Sequence, residues 1–158
     1  MKKIIVQLSI AISLSLVIFS CDNKYFFEAY HNFSGSGWHK DSVIVFNIPV
    51  NDTSGNYDMY INIRNSVKYN YSNIWLFIDI IQPGGEAVKD TFEVILAEPS
   101  GKWIGKGFAG LKTRKAVYRR QFFFPVSGDY KINVQHGMRQ DLLKGINDIG
   151  LTIGKNKP

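Results

Sequence analysis

Short stretches of β-branched and aromatic residues recur along most of this chain, and they constrain its fold more than any other feature. In residues 57–64 apolar and polar residues alternate, which predicts a strand with one buried face. Residues 74–81 (IWLFIDII) are apolar on both faces, as expected of a central strand. Similar stretches, separated by residues that favour turns, occur at 42–50, 90–97, 116–124, 130–134 and 146–153.

This spacing predicts an all-β fold, an antiparallel β-sandwich of the jelly-roll or Ig-like type with about seven to eight strands. Residues 38–158 are enough for a single domain of this kind. Residues 138–144 are the one place where one or two helical turns are predicted, ended by Gly145.

Residues 1–20 have the pattern of an export signal. Lys2 and Lys3 precede the apolar residues 4–19, a segment shorter than the roughly 20 residues that a membrane-spanning helix needs. Cys21, the only cysteine, follows directly, and residues 18–21 (IFSC) resemble the cleavage site of bacterial lipoproteins. That resemblance implies a signal peptide at 1–20 and a lipid on the thiol of Cys21; the alternative is an uncleaved membrane helix.

Residues 21–37 are expected to connect the anchor to the sandwich. This segment holds Tyr25, Phe26, Phe27, Tyr30 and Phe33, too many aromatic residues for a plain tether, so we expect part of it to pack on the domain as an edge strand. With Cys21 acylated no thiol remains for a disulfide, and the core must stabilise the exported domain.

The charge of the chain argues against nucleic acid as a partner. The formal net charge is +6, and removal of Lys2 and Lys3 lowers it by two, which leaves only a mild excess. The basic residues cluster in one region, where they suit acidic headgroups, an acidic glycan or an acidic protein, unless they only solvate an edge strand. The cluster consists of Lys112, Arg114, Lys115, Arg119 and Arg120.

Aromatic residues supply a second group of candidate contacts. Tyr69, Tyr71 and Trp103 have the side chains that stack on sugar rings or fill a partner's pocket, although tyrosines in strands more often serve packing. Together with Lys112, Arg114 and Lys115 they are the predicted contacts for a partner or a glycan.

Motifs of catalysis or of cofactor binding are not recognisable in the sequence. Residues 105–110 match G-x-G-x-x-G, but no helix is predicted after them to meet a pyrophosphate, so we interpret them as a glycine-rich loop or β-bulge. His31, His39 and His136 lack metal-ligand spacing. We predict no enzyme, no metal, no cofactor and no small-molecule substrate; paired carboxylates among residues 86–98 leave a hydrolase as an alternative.

Several segments together carry a family resemblance that covers nearly the whole chain. They are residues 60–65 (YINIRN), 71–76 (YSNIWL), 101–107 (GKWIGKG), 135–139 (QHGMR) and 145–150 (GINDIG). They are similar to the GldH family of gliding-motility lipoproteins from Bacteroidetes. The resemblance implies a structural or assembly role in gliding motility, linked to type IX secretion, with other proteins of that machinery as partners.

Two expectations complete this reading. Residues 22–24 hold a single acid, fewer than the surface-export signals of Bacteroidetes lipoproteins carry, which favours an outer-membrane lipid with the domain facing the periplasm. The alternative function, from the surface aromatics and the basic cluster, is a glycan- or peptidoglycan-binding module on a lipid anchor.

Overall fold

The computed structural model describes residues 25–33, 35 and 37–156, so Cys21 and the export signal lie outside the described residues. Every regular element in the described part is a strand, and none of its segments is a helix long and apolar enough to cross a membrane. The strands are β1 (Phe27–Asn32), β2 (Trp38–His39), β3 (Ile44–Val50), β4 (Asn56–Ser66), β5 (Asn73–Ile81), β6 (Ala87–Ile95), β7 (Leu111–Phe123), β8 (Gly128–His136), β9 (Leu142–Leu143) and β10 (Ile146–Lys155).

Two four-stranded antiparallel sheets form a sandwich. Sheet A has the order β1-β10-β4-β7, sheet B has the order β3-β8-β5-β6, and β2 pairs with β9 in a short ribbon. The chain crosses between the sheets after almost every long strand, which is the double Greek-key path of a jelly roll. The all-β sandwich predicted from the sequence is confirmed, and of the two predicted types the strand order selects the jelly roll.

The core lies between the inner faces of the two sheets. On β5, Trp75 and Phe77 are 40% and 49% exposed, so this central strand, although apolar on both sides, buries only one of them. The period-two pattern of the sequence accounts for the inner positions. Residues that are at most 2% exposed include Tyr57, Met59, Ile61 and Ile63 of β4, Ile74, Leu76, Ile78 and Ile80 of β5, and Ile149, Leu151 and Ile153 of β10.

The helical turns predicted for residues 138–144 are wrong. Leu142 and Leu143 form β9, and Leu143 pairs with Trp38 of β2. The side chains of Leu143 and Trp38 are almost fully buried, whereas Leu142 is 40% exposed. The ribbon therefore covers one end of the core. Gly145, with φ +89°, then turns the chain into β10.

The strand registers define two ends of the sandwich. At the near end β1 begins and β10 ends, and Tyr57 pairs with Lys155 and Phe122. At the far end Ser66 pairs with Leu111, about 30 Å away at roughly 3.3 Å per residue of β4. Short connections at the near end comprise residues 51–55, 82–86 and 124–127; the far end carries the ribbon and residues 67–72, 96–110 and 137–145.

Candidate functional site

Most of the contact residues predicted from the sequence lie at the far end. Tyr69 is only 4% exposed, and its hydroxyl donates to the carbonyl of Asn73 at 3.0 Å. Burial raises the pKa of Tyr69 well above its usual value, so the phenol stays neutral. Tyr71 is half-buried, with its ring edge-on to Tyr69 at 5.5 Å between centroids. This tyrosine pair therefore packs the far end instead of offering an open aromatic face.

Trp103 also serves packing. Its backbone forms an isolated antiparallel bridge with Ala97, and its half-buried indole packs against the core. The next residue, Ile104, donates its amide to the carbonyl of Leu96 at 2.9 Å, which holds the long connection onto the end of β6.

The basic cluster of the sequence is divided by the alternation of β7. Arg114 lies opposite the buried Ile63, whereas Lys115 lies opposite Asn62 on the outer face of sheet A. The Nζ of Lys115 sits between two aromatic rings, 4.2 Å from the centroid of Tyr25 and 4.1 Å from that of Tyr60. Such cation–π contacts attract the ammonium group to the ring faces, so Lys115 is held against the sheet by its own domain.

Two other members of the cluster are engaged by carboxylates. Arg119 and Asp90 form an ion pair at 2.6 Å that joins β7 of sheet A to β6 of sheet B at the open side of the sandwich. Arg120 lies 3.9 Å from Asp58. Of the five residues of the basic cluster, only Lys112 and Arg114 have neither a carboxylate nor an aromatic ring as a partner among the described residues.

A polar cleft that sequence reasoning missed lies on the outer face of sheet A. It has a volume of about 370 Å³. The register brings its residues together from all four strands, because Asp148 lies opposite Arg64 and Arg64 lies opposite Thr113. The lining consists of Tyr30, Asn62, Arg64, Thr113 and Asp148.

A nearly buried carboxylate organises the cleft. Asp148 is 9% exposed and accepts a hydrogen bond from the Asn32 amide at 2.7 Å on one oxygen. Its second oxygen lies 3.3 Å from the Arg64 guanidinium but accepts no aligned hydrogen bond. This second oxygen is itself shielded from solvent, so the carboxylate orders the neighbouring side chains and its charge is balanced by Arg64.

Below it, the polar layer continues with residues that are almost fully buried. The Asn62 amide donates to the hydroxyl of Thr152 at 2.7 Å, and the two residues are 4% and 0% exposed. Polar side chains on the outer face of a sheet are normally exposed to solvent. Here Glu28 and Tyr60 lie opposite Thr152 on the neighbouring strands and Tyr30 lies opposite Gly150, so the outer face of sheet A has a shielded polar layer of its own.

Tyr30 forms one wall of the cleft. Its ring lies on Gly150, where a Cβ would come within 2.3 Å of the ring, and the side chain is nevertheless 56% exposed. Its hydroxyl donates to Glu28 at 2.8 Å. Burial and the nearby carboxylate of Glu28 raise the pKa of Tyr30. The phenol is therefore neutral at physiological pH and presents one ring face to the cleft.

The lining of this cleft combines hydrogen-bonding groups with an aromatic ring. A guanidinium, a carboxylate, an amide, a hydroxyl and a phenol ring are the groups by which proteins bind polyhydroxylated or peptide-like ligands. Only one of the lining residues is a carboxylate, so the cleft lacks the pair that glycoside cleavage uses. In the part of the chain that the structure describes, no group of three or more His, Cys, Asp or Glu is placed to hold a metal ion.

The fold and the cleft define a class of protein, a jelly-roll domain that displays binding groups on the outer face of one sheet. The chain belongs to the GldH lipoprotein family, whose profile matches residues 25–153. The resemblance stated from the sequence is thereby confirmed.

Two relatives share most of their length with this chain. The gliding motility lipoprotein GldH homolog of Christiangramia forsetii is 37% identical over 150 residues, which cover 90% of this chain and 91% of that protein. The gliding motility lipoprotein GldH of Flavobacterium johnsoniae is 35% identical over 146 residues, 88% of this chain and 90% of that protein. Among solved structures, the insecticidal delta-endotoxin Cry8Ea1 from Bacillus thuringiensis matches with a TM-score of 0.43 and 15% identity, over 82% of this chain and 20% of the toxin chain.

Proposed function

We propose that this protein is a non-enzymatic lipoprotein of the cell envelope that supports gliding motility. The observation that carries the proposal is the extent of the family match, which runs from residue 25 to residue 153 and so includes nearly all of the described sandwich. Two relatives named for gliding motility align along about nine-tenths of this chain. A shared role of the whole domain, not of one motif, follows from such a match.

In this proposal Cys21 carries the lipid after removal of residues 1–20. Two acyl chains hold a protein stably at a bilayer, so the anchor needs no further membrane contact from the sandwich. Only residues 22–24 separate Cys21 from Tyr25, which already contacts Lys115 of sheet A. The near end of the sandwich would then face the anchoring membrane. We propose that this is the outer membrane and that the domain lies on its periplasmic side.

The same proposal assigns the protein to contacts with other proteins of the gliding or type IX secretion machinery. The cleft lacks a carboxylate pair, which supports binding over catalysis. The far end, with its long connections, is where such contacts are expected, because loops on a rigid scaffold carry most recognition.

The proposal is tested by deleting the gene and complementing the strain. Deletion should abolish spreading on surfaces and reduce export of type IX cargo, and the wild-type gene should restore both. A deletion strain that spreads and secretes like its parent overturns the proposed function.

The anchor has a separate test. Cys21→Ala should accumulate as an unprocessed precursor that incorporates no labelled fatty acid and does not complement the deletion. Incorporation of the label into this variant would show that the lipid is attached elsewhere.

A second function, a glycan- or peptidoglycan-binding module, is favoured by the cleft on sheet A. The exposed ring of Tyr30 is a group that stacks on a sugar, and the half-exposed guanidinium of Arg64 is one that donates to its hydroxyls. The full-length protein should be retained on insoluble peptidoglycan or polysaccharide, and Tyr30→Ala should abolish retention. Trp75→Ala, at an exposed aromatic residue on the other sheet, is the matched control. Equal retention of both variants would exclude the cleft as the site.

A further inference from the structure

The connection between β6 and β7 presents one aromatic side chain almost entirely to solvent. Phe108 is 88% exposed, more than any other large apolar residue in the described part of the chain. Val67, 43% exposed, belongs to the neighbouring connection, and its Cγ2 lies 3.8 Å from where a Cβ of Gly110 would be. We call residues 106–112 together with Val67 and Lys68 the far-end tip.

The backbone holds Phe108 in this exposed position. Lys106 and Thr113 exchange two hydrogen bonds, at 3.0 and 2.8 Å, and the amide of Leu111 donates to the carbonyl of Phe108 at 3.0 Å. The amide of Val67 donates to the carbonyl of Gly110 at 2.8 Å, which ties the tip to the next connection. The exposure of the ring is therefore built into a hydrogen-bonded loop.

The tip also contains conformations that few residues adopt. Ala109 has φ +50°, and Gly107 has φ +152° at a place where a Cβ would lie 2.4 Å from the carbonyl oxygen of Leu111. A glycine adopts such a conformation without strain, whereas an alanine disfavours it. The hydrogen bonds of the tip therefore hold a backbone path that Ala109 alone does not favour.

The tip that presents the exposed ring also carries three lysines, which we call the lysine collar. Lys68, Lys106 and Lys112 belong to the tip, and no carboxylate of the described residues forms an ion pair with them. The sequence from residue 99 to residue 128 contains no Asp or Glu, so the positive charge of this region is not compensated along the chain. Its basic residues are Lys102, Lys106, Lys112, Arg114, Lys115, Arg119 and Arg120.

The position of the tip relative to the proposed anchor favours a protein over a membrane as the surface that it contacts. The tip follows the pairing of Ser66 with Leu111 at the far end, whereas β1 enters the fold at the near end, where Phe27 pairs with Ile153. The two ends are about 30 Å apart along β4. A lipid at Cys21 would hold the near end at the bilayer and direct Phe108 away from it.

We propose that the far-end tip docks a partner protein that offers an apolar pocket for Phe108 and a rim of carboxylates for the lysine collar. A single exposed aromatic residue surrounded by complementary charge is the arrangement in which one side chain supplies most of the affinity and the charges select the partner. The direction of the tip rests on the lipid anchor of the proposed function; the aromatic and basic character of the tip does not.

The test uses the full-length lipoprotein expressed in the deletion strain, with the photoreactive p-benzoylphenylalanine at position 108. Phe123 is the matched control, because it is 53% exposed but lies at the near end opposite Asn56. Irradiation should give a protein adduct from position 108 and none from position 123. The adduct's modified peptide should contain Asp or Glu, and Lys106→Glu with Lys112→Glu should reduce its yield at least about tenfold.

Complementation gives an independent readout. Phe108→Ser should fail to restore spreading although its lipidation and its amount in the envelope equal those of the wild type, and Phe123→Ser should restore it. Adducts to lipid at position 108, equal protein adducts at both positions, or an adduct that survives charge reversal would each overturn the docking proposal. Where deletion abolishes spreading, full complementation by Phe108→Ser would overturn it too.

Failure of this proposal is distinguishable from failure of the proposed function. If deletion abolishes spreading but Phe108→Ser restores it, the role in gliding stands and the tip is not the contact. If the charge-sensitive adduct forms in a strain whose deletion leaves spreading intact, the docking surface stands and the role in gliding falls.

Discussion

The two ends of the sandwich are built differently. At the near end the turns are short and aromatic rings fill the space between the sheets: Phe124 contacts Tyr57, Phe122 and Tyr130 at centroid distances of 4.9–5.3 Å. At the far end the connections are long, and they display Phe108 and lysines that form no ion pair within the described part of the chain. Both ends bury aromatic residues, Phe124 and Tyr57 at the near end and Trp38 and Tyr69 at the far end. Because the near end closes with short turns, we expect it to be the more stable of the two and recognition to be concentrated at the far end.

The largest expected effect is at the near end. Phe124→Ala removes a fully buried ring from the centre of the aromatic cluster and should lower the free energy of unfolding by about 3–5 kcal/mol. Denaturant unfolding followed by tryptophan fluorescence measures it. A loss below that of an exposed control, Phe123→Ala, would break the comparison, because the cluster would then not stabilise the near end.

A smaller loss of stability is expected from a substitution in the cleft of sheet A. Asp148→Ala removes the acceptor of one hydrogen bond from the Asn32 amide and the carboxylate that pairs with the Arg64 guanidinium, and it should cost about 1–3 kcal/mol. Asp141→Ala, which breaks only an exposed pair with Lys40, should leave the denaturation midpoint unchanged. Equal midpoints for both variants would mean that the polar layer of sheet A does not stabilise the fold.

A pH dependence is expected from His136, at the far end of β8. Burial, more than any other influence, lowers the pKa of His136 below 6.5, while its Nε2 lies 3.1 Å from the carbonyl of Trp38 and the charge of His39 acts in the same direction as burial. Below pH 6.5 the unfolded chain binds a proton that the folded chain does not yet bind, so stability falls as the pH is lowered. Unfolding midpoints between pH 7.5 and 5 should show this slope, and His136→Gln should flatten it.

The smallest effect on stability is expected at the tip, where the functional effect is largest. Phe108→Ser removes almost no buried surface and should change the free energy of unfolding by no more than about 0.5 kcal/mol. A melting temperature within error of the wild type, together with loss of spreading, would sharpen the contrast between the two ends. A clear destabilisation would instead make Phe108 a packing residue.

The sandwich was readable from the sequence because its strands follow simple rules. The alternation in residues 57–64 predicted the buried side of β4, and the apolar stretch 74–81 predicted a central strand. Residues 138–144 misled because polar and apolar residues there fit a helical turn locally. The pairing of Leu143 with Trp38 makes that segment a strand instead of a helix. Because Trp38 is distant in sequence, no local pattern reveals this pairing.

The cleft was not readable for a related reason. Asn62 and Arg64 stand at the polar positions of an amphipathic strand, where solvent exposure is the ordinary expectation. Their proximity to Asp148 depends on the register between β4 and β10, which no local pattern specifies. Similarly, the basic cluster is one region in the sequence, but β7 directs Arg114 and Lys115 to opposite faces.

The pairing of β1 with β10 has a mechanical consequence. The six residues of β1 pair with Ile153 to Asp148 in antiparallel order, and β1 runs from the near end toward the far end. Tension between a lipid at Cys21 and a partner on the far-end tip would act along these strands, perpendicular to their hydrogen bonds. The ladder would then be loaded in shear, with all of its bonds sharing the force at once instead of opening one after another. With the proposed lipid and partner in place, an edge strand in this position would let the domain transmit a pull between them without separating first at its own N-terminal strand.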